Sequence, residues 1–264
     1  MTRNTINDIR QKKNNEKIVA VAAYTYPVAN LIDEFCDIIL VGDSLGMTIY
    51  GHKNTLDVTL DMMINHAQAV VNATEKSFIM VDLPFGSYEK SKEQALESAE
   101  AVINKTGCDA IKLEVTTNLL ETIKYLSENN INVVAHIGLI PQHIERLGGF
   151  KIQGKSSEDS EYLKNLAQKC QEFGASILVI EGVIENIAKN ISQNLEIPTI
   201  GIGASPLCDG QILVIDDIVG IDQEYSPKFV KKYDNLSENI KNSMKKFSNE
   251  VKNGKFPTKD HCFF

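Results

Sequence analysis

Polar residues that can do chemistry follow, or lie within, short apolar runs at several places in the chain. They comprise four acidic residues, a lysine, a histidine and a serine: Asp43, Ser44, Asp82, Lys112, Glu114, His136 and Glu181. Carboxylates that are crowded together drive one another toward protonation unless a cation is present. Mg²⁺ is commonly held by one or two carboxylates, several waters and oxygens of the substrate. Asp43 and Asp82, each at the end of an apolar run, therefore predict a magnesium site.

A magnesium ion beside these groups suits the chemistry of a 2-oxo acid. The ion would hold the keto and carboxylate oxygens and stabilise the enolate that forms when the neighbouring carbon loses a proton. Lys112 would add a second positive charge at the enolate oxygen, and Glu181 is then available as the base. His136 is interpreted as a hydrogen-bonded support residue rather than as a proton carrier. The pattern therefore predicts an enzyme that enolises a 2-oxo acid.

Each of these residues, taken alone, also has a structural interpretation. Asp43 would cap the following helix, and Glu181 would be a polar strand terminus. Lys112 and Glu114 are two positions apart, so the pleat of a strand sends both to the same face, where they would form an ion pair. The chemical interpretation is favoured because all these residues converge on one end of the predicted sheet.

Eight short runs rich in β-branched residues, separated by helical stretches, position these groups. The runs cover residues 18–23, 38–43, 78–82, 110–114, 132–137, 176–181, 197–203 and 212–216. They are almost continuously apolar, as parallel strands covered on both faces are. This alternation predicts the α/β class and a (β/α)8 TIM barrel, a single domain over residues 1–264 with a polar N-terminal segment and a C-terminal helix. An open doubly wound sheet is the alternative. In a barrel, the carboxyl ends of the strands meet at one rim, where active sites lie.

Capping residues indicate where several helices begin and end. Ser91, with Gln94 three positions later, predicts a capping box, and Gly107 predicts the end of the same helix. Thr59 predicts the start of an earlier helix. Apolar residues at helical spacing over 236–251 predict the C-terminal helix.

The charge and cysteine content exclude several classes of protein. The chain has 27 basic and 35 acidic residues, a net charge of −8, so we expect no nucleic-acid partner. It contains no run of about 18 apolar residues and begins with a polar segment, which predicts no membrane partner and a cytoplasmic location. Its five cysteines include no C-x-x-C pair, which argues against a zinc site or a disulfide framework.

Longer motifs around these residues resemble one enzyme family. They are VGDSLGMTIYGHKNTLDVTLDMMINH, DLPFGSY, IKLE, HIGLIPQHIERLGGFKIQG, IEG, IPTIGIGAS with CDGQILV, and PKFVKKY. In this combination the chain is similar to the ketopantoate hydroxymethyltransferases. The resemblance implies a (β/α)8 barrel that uses Mg²⁺ and forms a homo-oligomer, commonly a decamer. It also implies transfer of a hydroxymethyl group from 5,10-methylenetetrahydrofolate to 3-methyl-2-oxobutanoate, which gives 2-dehydropantoate and tetrahydrofolate in the synthesis of pantothenate, a coenzyme A precursor.

The resemblance implies roles for individual residues as well. The metal-binding positions of the family are matched by Asp43, Asp82 and Glu114. The positions that hold the 2-oxo acid are matched by Asp43, Ser44, Asp82 and Lys112. Glu181 matches the proton acceptor. These roles agree with those inferred from the residues themselves.

Four positions depart from the usual residues of the family. They are Thr25 in place of Asp, Ile140 in place of Thr, Ser205 in place of Gly, and Asp216 in place of His. The metal and base positions are intact, so we predict an active enzyme. Two other functions stay open. A Mg²⁺-dependent lyase or mutase acting on another 2-oxo acid would work without folate, and a catalytically silent barrel serving as a binding module would enolise no 2-oxo acid.

Overall fold

The computed structural model describes residues 3–143, 149, 151–221 and 227–264. The chain divides into two compact units, Met1–Leu213 and Val214–Phe264. The single domain predicted for the whole chain stays a prediction.

Eight parallel strands form a closed barrel in which each strand pairs with the next along the chain. The strands are β1 (Ile18–Ala22), β2 (Ile38–Val41), β3 (Phe78–Asp82), β4 (Ala110–Glu114), β5 (Val133–Gly138), β6 (Ile177–Glu181), β7 (Thr199–Ile202) and β8 (Gly210–Val214). The predicted (β/α)8 barrel is therefore confirmed, and the open doubly wound sheet is wrong. The strands are apolar because side chains on both of their faces are buried; every residue of β2, β3 and β4 is buried.

Helices precede the barrel and connect its strands. Among the residues described in the first unit, the helices are α1 (Ile6–Gln11), α2 (Tyr26–Ile32), α3 (Leu45–Thr48), α4 (Leu60–Ala73), α5 (Lys92–Thr106), α6 (Leu120–Glu128), α7 (Ser157–Glu172) and α8 (Glu185–Asn194). Short 3₁₀ turns cover Asp33–Phe35, Thr117–Leu119 and Pro141–His143. Part of the motif HIGLIPQHIERLGGFKIQG, residues 144–148 and 150, lies outside the described residues.

The helix caps agree with the sequence in all but one detail. Thr59 caps α4 by accepting a hydrogen bond from the backbone N–H of Met62. Ser91 caps α5, and Gly107 ends it with φ of +74°, a conformation that side-chain-bearing residues rarely adopt. The predicted capping box at Ser91 is wrong in its second bond, because the Gln94 side chain accepts from the backbone N–H of Lys90 instead of that of Ser91.

A buried ion pair joins the segment after α1 to the amino-terminal ends of β7 and β8. Nζ of Lys13 lies 2.9 Å from Oδ2 of Asp209, and both side chains are at most 7% exposed. The same oxygen accepts hydrogen bonds from the backbone N–H and the hydroxyl of Thr199, the first residue of β7. Burial opposes the charge of Asp209, but the bonds from Lys13 and Thr199 outweigh burial and lower the pKa of this carboxyl.

The described residues of the second unit, 214–221 and 227–264, include two helices, α9 (Ile215–Val219) and α10 (Leu236–Lys252), and a 3₁₀ turn at Lys259–His261. Helix α10 covers the stretch in which the C-terminal helix is predicted. The ring of Phe247 on α10 packs edge-on against Phe256, with the ring centroids 5.6 Å apart. Among the helices that the structure describes, none combines the length and the apolar character needed to cross a membrane.

Candidate active site

The carboxyl ends of β2, β3 and β4 bring the predicted metal and substrate residues into contact. Asp82 pairs with Lys112 in the register of β3 and β4, and Nζ of Lys112 lies 2.7 Å from Oδ1 of Asp82. The other oxygen of Asp82, Oδ2, accepts a hydrogen bond of 3.1 Å from the backbone N–H of Asp43. All three residues are buried. The two aspartates predicted to share a metal ion therefore lie side by side.

Gly42 makes this close approach possible. A Cβ atom at residue 42 would lie 3.0 Å from Oγ of Ser44 and 3.3 Å from Oδ2 of Asp82, both tighter than ordinary contacts. Ser44 itself lies 2.7 Å, Oγ to hydroxyl oxygen, from the buried Tyr24, which follows β1. The absence of a side chain at residue 42 thus lets the end of β2 pack against the Asp82 carboxylate.

Glu114, His136 and Glu181 form a second row of the same site. Glu114 pairs with His136 in the register of β4 and β5. Nδ1 of His136 lies 3.9 Å from Oε1 of Glu114, and Nε2 lies 3.2 Å from Oε2 of Glu181. Neither ring nitrogen has a hydrogen-bond partner among the residues that the structure describes. The support role of His136 stays a prediction.

Burial and mutual repulsion set the charge state of the site. Burial, and next the Asp82 carboxylate, raise the pKa of Asp43 to about 7, although Lys112 and Gln142 oppose the rise. Burial and the Asp43 carboxylate raise the pKa of Glu114 well above its ordinary value. The positive charge around Asp43 and Glu114 is therefore too small to stabilise both of them in the ionised form.

The two basic side chains respond in opposite directions to the same surroundings. Burial opposes the charge of Lys112, but the carboxylates of Asp82, Asp43 and Glu114 outweigh burial and raise its pKa. Lys112 is therefore a buried cation. Burial, together with the nearby Lys112, lowers the pKa of His136, so its imidazole is neutral near pH 7.

This donor set fits a magnesium ion. Asp43, Asp82, Glu114 and Glu181 supply four carboxyl groups, against the charge of Lys112 and a neutral His136. Within the described part of the chain, no three His, Cys, Asp or Glu side chains form a ready-made metal cluster. Mg²⁺ needs only one or two carboxylates when waters and substrate oxygens complete its shell. Asp43, Asp82 and Glu114 as metal ligands stay predictions.

Comparison with known proteins identifies the family. The family model described as ketopantoate hydroxymethyltransferase matches residues 3–259. The chain belongs to this family. The 3-methyl-2-oxobutanoate hydroxymethyltransferase of Paramagnetospirillum magneticum (strain ATCC 700264 / AMB-1) is 49% identical over 259 residues, 98% of this chain and 94% of that one. The enzyme of the same name from Bordetella petrii is 46% identical over 262 residues, 99% of this chain and 95% of that one. The protein is therefore a transferase enzyme.

Solved structures with the same fold are more distant in sequence. A 2,3-dimethylmalate lyase of the PEP mutase/isocitrate lyase superfamily matches with a TM-score of 0.61 at 14% identity, over 97% of this chain and 91% of that one. A phosphonopyruvate hydrolase matches with a TM-score of 0.62 at 13% identity, over 100% of this chain and 92% of that one. At this identity, these matches support the barrel fold alone.

Sequence reasoning missed three buried residues of the candidate site. They are Tyr24, Tyr88 and Gln142. Nε2 of Gln142 donates to Oδ2 of Asp43 at 2.8 Å, and the backbone N–H of Gln142 donates to Oε2 of Glu114 at 2.9 Å. The hydroxyl of Tyr88 donates to Oε1 of Gln142. Gln142 lies on the 3₁₀ turn after β5. A search for polar residues at the ends of predicted strands therefore does not find it.

The four departures from the family pattern lie in different surroundings. Ser205 is buried, and its hydroxyl donates to Oε1 of Glu185 at 2.8 Å. Thr25 precedes α2 without a side-chain capping bond. Ile140 is buried, and Asp216 lies in α9 of the second unit. Ser205 thus anchors the loop between β7 and β8 to the first residue of α8.

Proposed function

We propose that the protein transfers a hydroxymethyl group from 5,10-methylenetetrahydrofolate to 3-methyl-2-oxobutanoate, forming 2-dehydropantoate for pantothenate synthesis. The observation that carries the proposal is the contact between Asp43, Asp82 and Lys112 at the end of the barrel that also holds Glu181. The names of the relatives support this choice of substrate.

The 2-oxo acid is proposed to bind at Asp43, Ser44, Asp82 and Lys112. Lys112 supplies a buried positive charge, which would attract the oxygens of an anionic substrate. The hydroxyl of Ser44 already lies 2.7 Å from that of Tyr24, so its position is defined before the substrate arrives. Preorganised donors of this kind stabilise negative charge because they need not reorganise during the reaction.

Asp43 and Asp82, with Glu114 nearby, are the residues that would hold Mg²⁺. The ion, when bound, supplies positive charge that stabilises an enolate oxygen. The chain's own contribution is to hold these carboxyl groups buried and close together next to Lys112. A metal that enters such a site also relieves the repulsion that raises the pKa of Asp43.

Glu181 is proposed as the base that removes the C3 proton of 3-methyl-2-oxobutanoate. Its side chain is 16% exposed and approaches the neutral His136 at 3.2 Å, so one edge is accessible to a substrate. As the C3–H bond breaks, Oε of Glu181 takes the proton, and the electron pair forms the enolate. Water adds to the methylene carbon of the folate, and the C–N bonds of that carbon break to release a formaldehyde equivalent and tetrahydrofolate. The enolate carbon C3 then bonds to the formaldehyde carbon, and the resulting alkoxide takes a proton, which Glu181 can return, to become the hydroxyl group.

Proton NMR of 3-methyl-2-oxobutanoate in heavy water tests this proposal. With enzyme and Mg²⁺ but without folate, the C3 proton signal should disappear as deuterium replaces it. Adding methylenetetrahydrofolate should yield 2-dehydropantoate. Exchange without any folate-dependent product would point to a lyase or mutase acting on a related 2-oxo acid, and a signal that stays constant would point to a binding module.

Glu181→Gln isolates the base. We expect exchange to fall by at least about 10²-fold, because a general base typically contributes 10²–10⁴-fold, while Mg²⁺ binding changes little. Glu196→Gln, at an exposed position, is the matched control. Unchanged exchange in the Glu181 variant would remove this residue from the role of base.

The proposal extends to location and assembly. A cytoplasmic location is supported by the free cysteines, since among the described residues Cys36, Cys108, Cys170 and Cys208 are buried and unpaired. A homo-oligomer, in the form of a decamer, is proposed from the family. Light scattering on the purified protein measures the mass directly, and a monomer would refute the assembly.

A further inference from the structure

Gln142 forms hydrogen bonds with several groups of the candidate site, although no role has been assigned to it. It is 4% exposed and lies on the turn Pro141–His143, at the carboxyl end of β5. Its backbone N–H donates to Glu114, and its side-chain amide donates to Oδ2 of Asp43 at 2.8 Å and to the carbonyl oxygen of Leu83 at 3.0 Å. One residue thus joins the ends of β2, β3 and β4.

Hydrogen bonds to both Nε2 and Oε1 fix the orientation of the Gln142 amide. Nε2 lies between two acceptors, Asp43 and Leu83, and Oε1 accepts the hydroxyl proton of Tyr88, which is fully buried. A flipped amide would place its oxygen against a carboxylate and a carbonyl, and would leave the Tyr88 hydroxyl without an acceptor. Because unpaired buried polar groups are costly, only one orientation satisfies every group.

The contact with Gln142 also distinguishes the two oxygens of Asp43. Oδ2 is engaged by the amide, whereas Oδ1 has no hydrogen bond from the residues that the structure describes. We propose that Gln142 is a positioning residue, which holds Asp43 so that Oδ1 is left for the 2-oxo acid and its magnesium ion, and that Tyr88 fixes the Gln142 amide. This inference rests on the proposed function, because it assigns Asp43 the same role.

Calorimetric titration with Mg²⁺ in the presence of 3-methyl-2-oxobutanoate tests the inference without relying on turnover. Gln142→Leu keeps most of the side-chain volume but removes both polar atoms of the amide, Oε1 and Nε2. We expect its Mg²⁺ affinity, per folded molecule, to fall by about 10- to 100-fold, the usual effect of removing a partner that orients a metal ligand. A purely structural role would lower the unfolding temperature and leave this affinity unchanged.

Tyr88→Phe keeps the aromatic ring and removes only the hydroxyl, so it decides the question if Gln142→Leu does not fold. We expect a smaller loss of Mg²⁺ affinity, on the order of threefold, since the amide keeps its bonds to Asp43 and Leu83. Gln168→Leu is the matched control and should bind Mg²⁺ like the unmodified protein, because this side chain lies on α7 and hydrogen-bonds to Glu172, outside the candidate site.

The outcomes separate this inference from the proposed function. If the unmodified protein binds Mg²⁺ and both site variants bind it equally well, the positioning role of Gln142 is overturned and the proposed function stands. If the unmodified protein binds no Mg²⁺ with the 2-oxo acid, both proposals are overturned together. If both site variants bind Mg²⁺ more weakly and the Gln168→Leu control does not, the positioning role of Gln142 is supported.

Discussion

The ion pair between Lys13 and Asp209 allows the stability of the barrel to be perturbed away from the candidate active site. Lys13→Met removes the cation and leaves the Asp209 carboxylate buried, with Thr199 as its remaining partner. Breaking a buried pair by removing one partner costs about 3–5 kcal/mol. The two bonds from Thr199 reduce the cost, so we expect about 3 kcal/mol. For a protein of this size that corresponds to a fall in Tm of roughly 6–12 °C.

The pH dependence of the same variant has a definite sign. The pKa of Asp209 in the folded protein lies below its ordinary value of 3.8, so the carboxylate contributes stability above that value and loses it as the pH falls through the folded pKa. Without Lys13, the folded pKa rises. The destabilisation should therefore be full at neutral pH and shrink as the pH falls through the raised folded pKa of the variant, where its Asp209 takes up a proton that the unmodified protein binds only at lower pH.

Thermal unfolding followed by circular dichroism at pH 7 and pH 3.5 measures both effects. Lys124→Met removes a cation from an exposed pair, whose atoms are 3.9 Å apart, and should shift Tm little. Activity per folded molecule should be unchanged in both variants, because the amino-terminal ends of barrel strands serve stability. Equal falls in Tm for the Lys13 and Lys124 variants would show that burial does not determine how much an ion pair contributes to stability.

Two substitutions test the geometry of the site. Gly42→Ala places a Cβ atom 3.0 Å from Oγ of Ser44 and 3.3 Å from Oδ2 of Asp82. Overpacking typically costs about 1–3 kcal/mol, and a cost of that size in the transition state lowers kcat/KM by about 5- to 150-fold; steady-state rates equal to those of the unmodified enzyme would mean that the end of β2 shifts freely. Lys112→Met removes a buried cation beside Asp82, and kcat should fall by about 10²–10³-fold in initial-rate assays. Full activity in that variant would exclude Lys112 from stabilising the enolate.

The strands were predictable because burial on both faces leaves a strong signal in the sequence. The runs 78–82 and 110–114 match β3 and β4 residue for residue. The run 197–203 overshoots β7, which covers only Thr199–Ile202, because Pro198 precedes it and Gly203 turns the chain with φ of +56°. Apolar character thus locates a strand, while backbone geometry decides where it ends.

The candidate site was predictable to the extent that its residues follow strands. Asp82 and Lys112 are charged residues in apolar runs, and the register of parallel strands makes them neighbours. Tyr88 and Gln142 are neutral and lie on connections, where spacing carries no information on which side chains meet. Their hydrogen bond depends on the paths that the chain takes from β3 to Tyr88 and from β5 to Gln142, which local sequence patterns do not determine.

Buried carboxylates at the two ends of the barrel differ in how much positive charge surrounds them. This difference indicates why the acidic cluster at the carboxyl end exists. At the amino-terminal end, one carboxylate meets one lysine and two further donors, and its pKa is lowered. At the carboxyl end, the charge of Lys112 faces several carboxyl groups, and the pKa of Asp43 rises to about 7. A network that served stability alone would be balanced like the first, because uncompensated buried charge is expensive. The imbalance at the second end therefore argues that a positively charged ligand completes it during function.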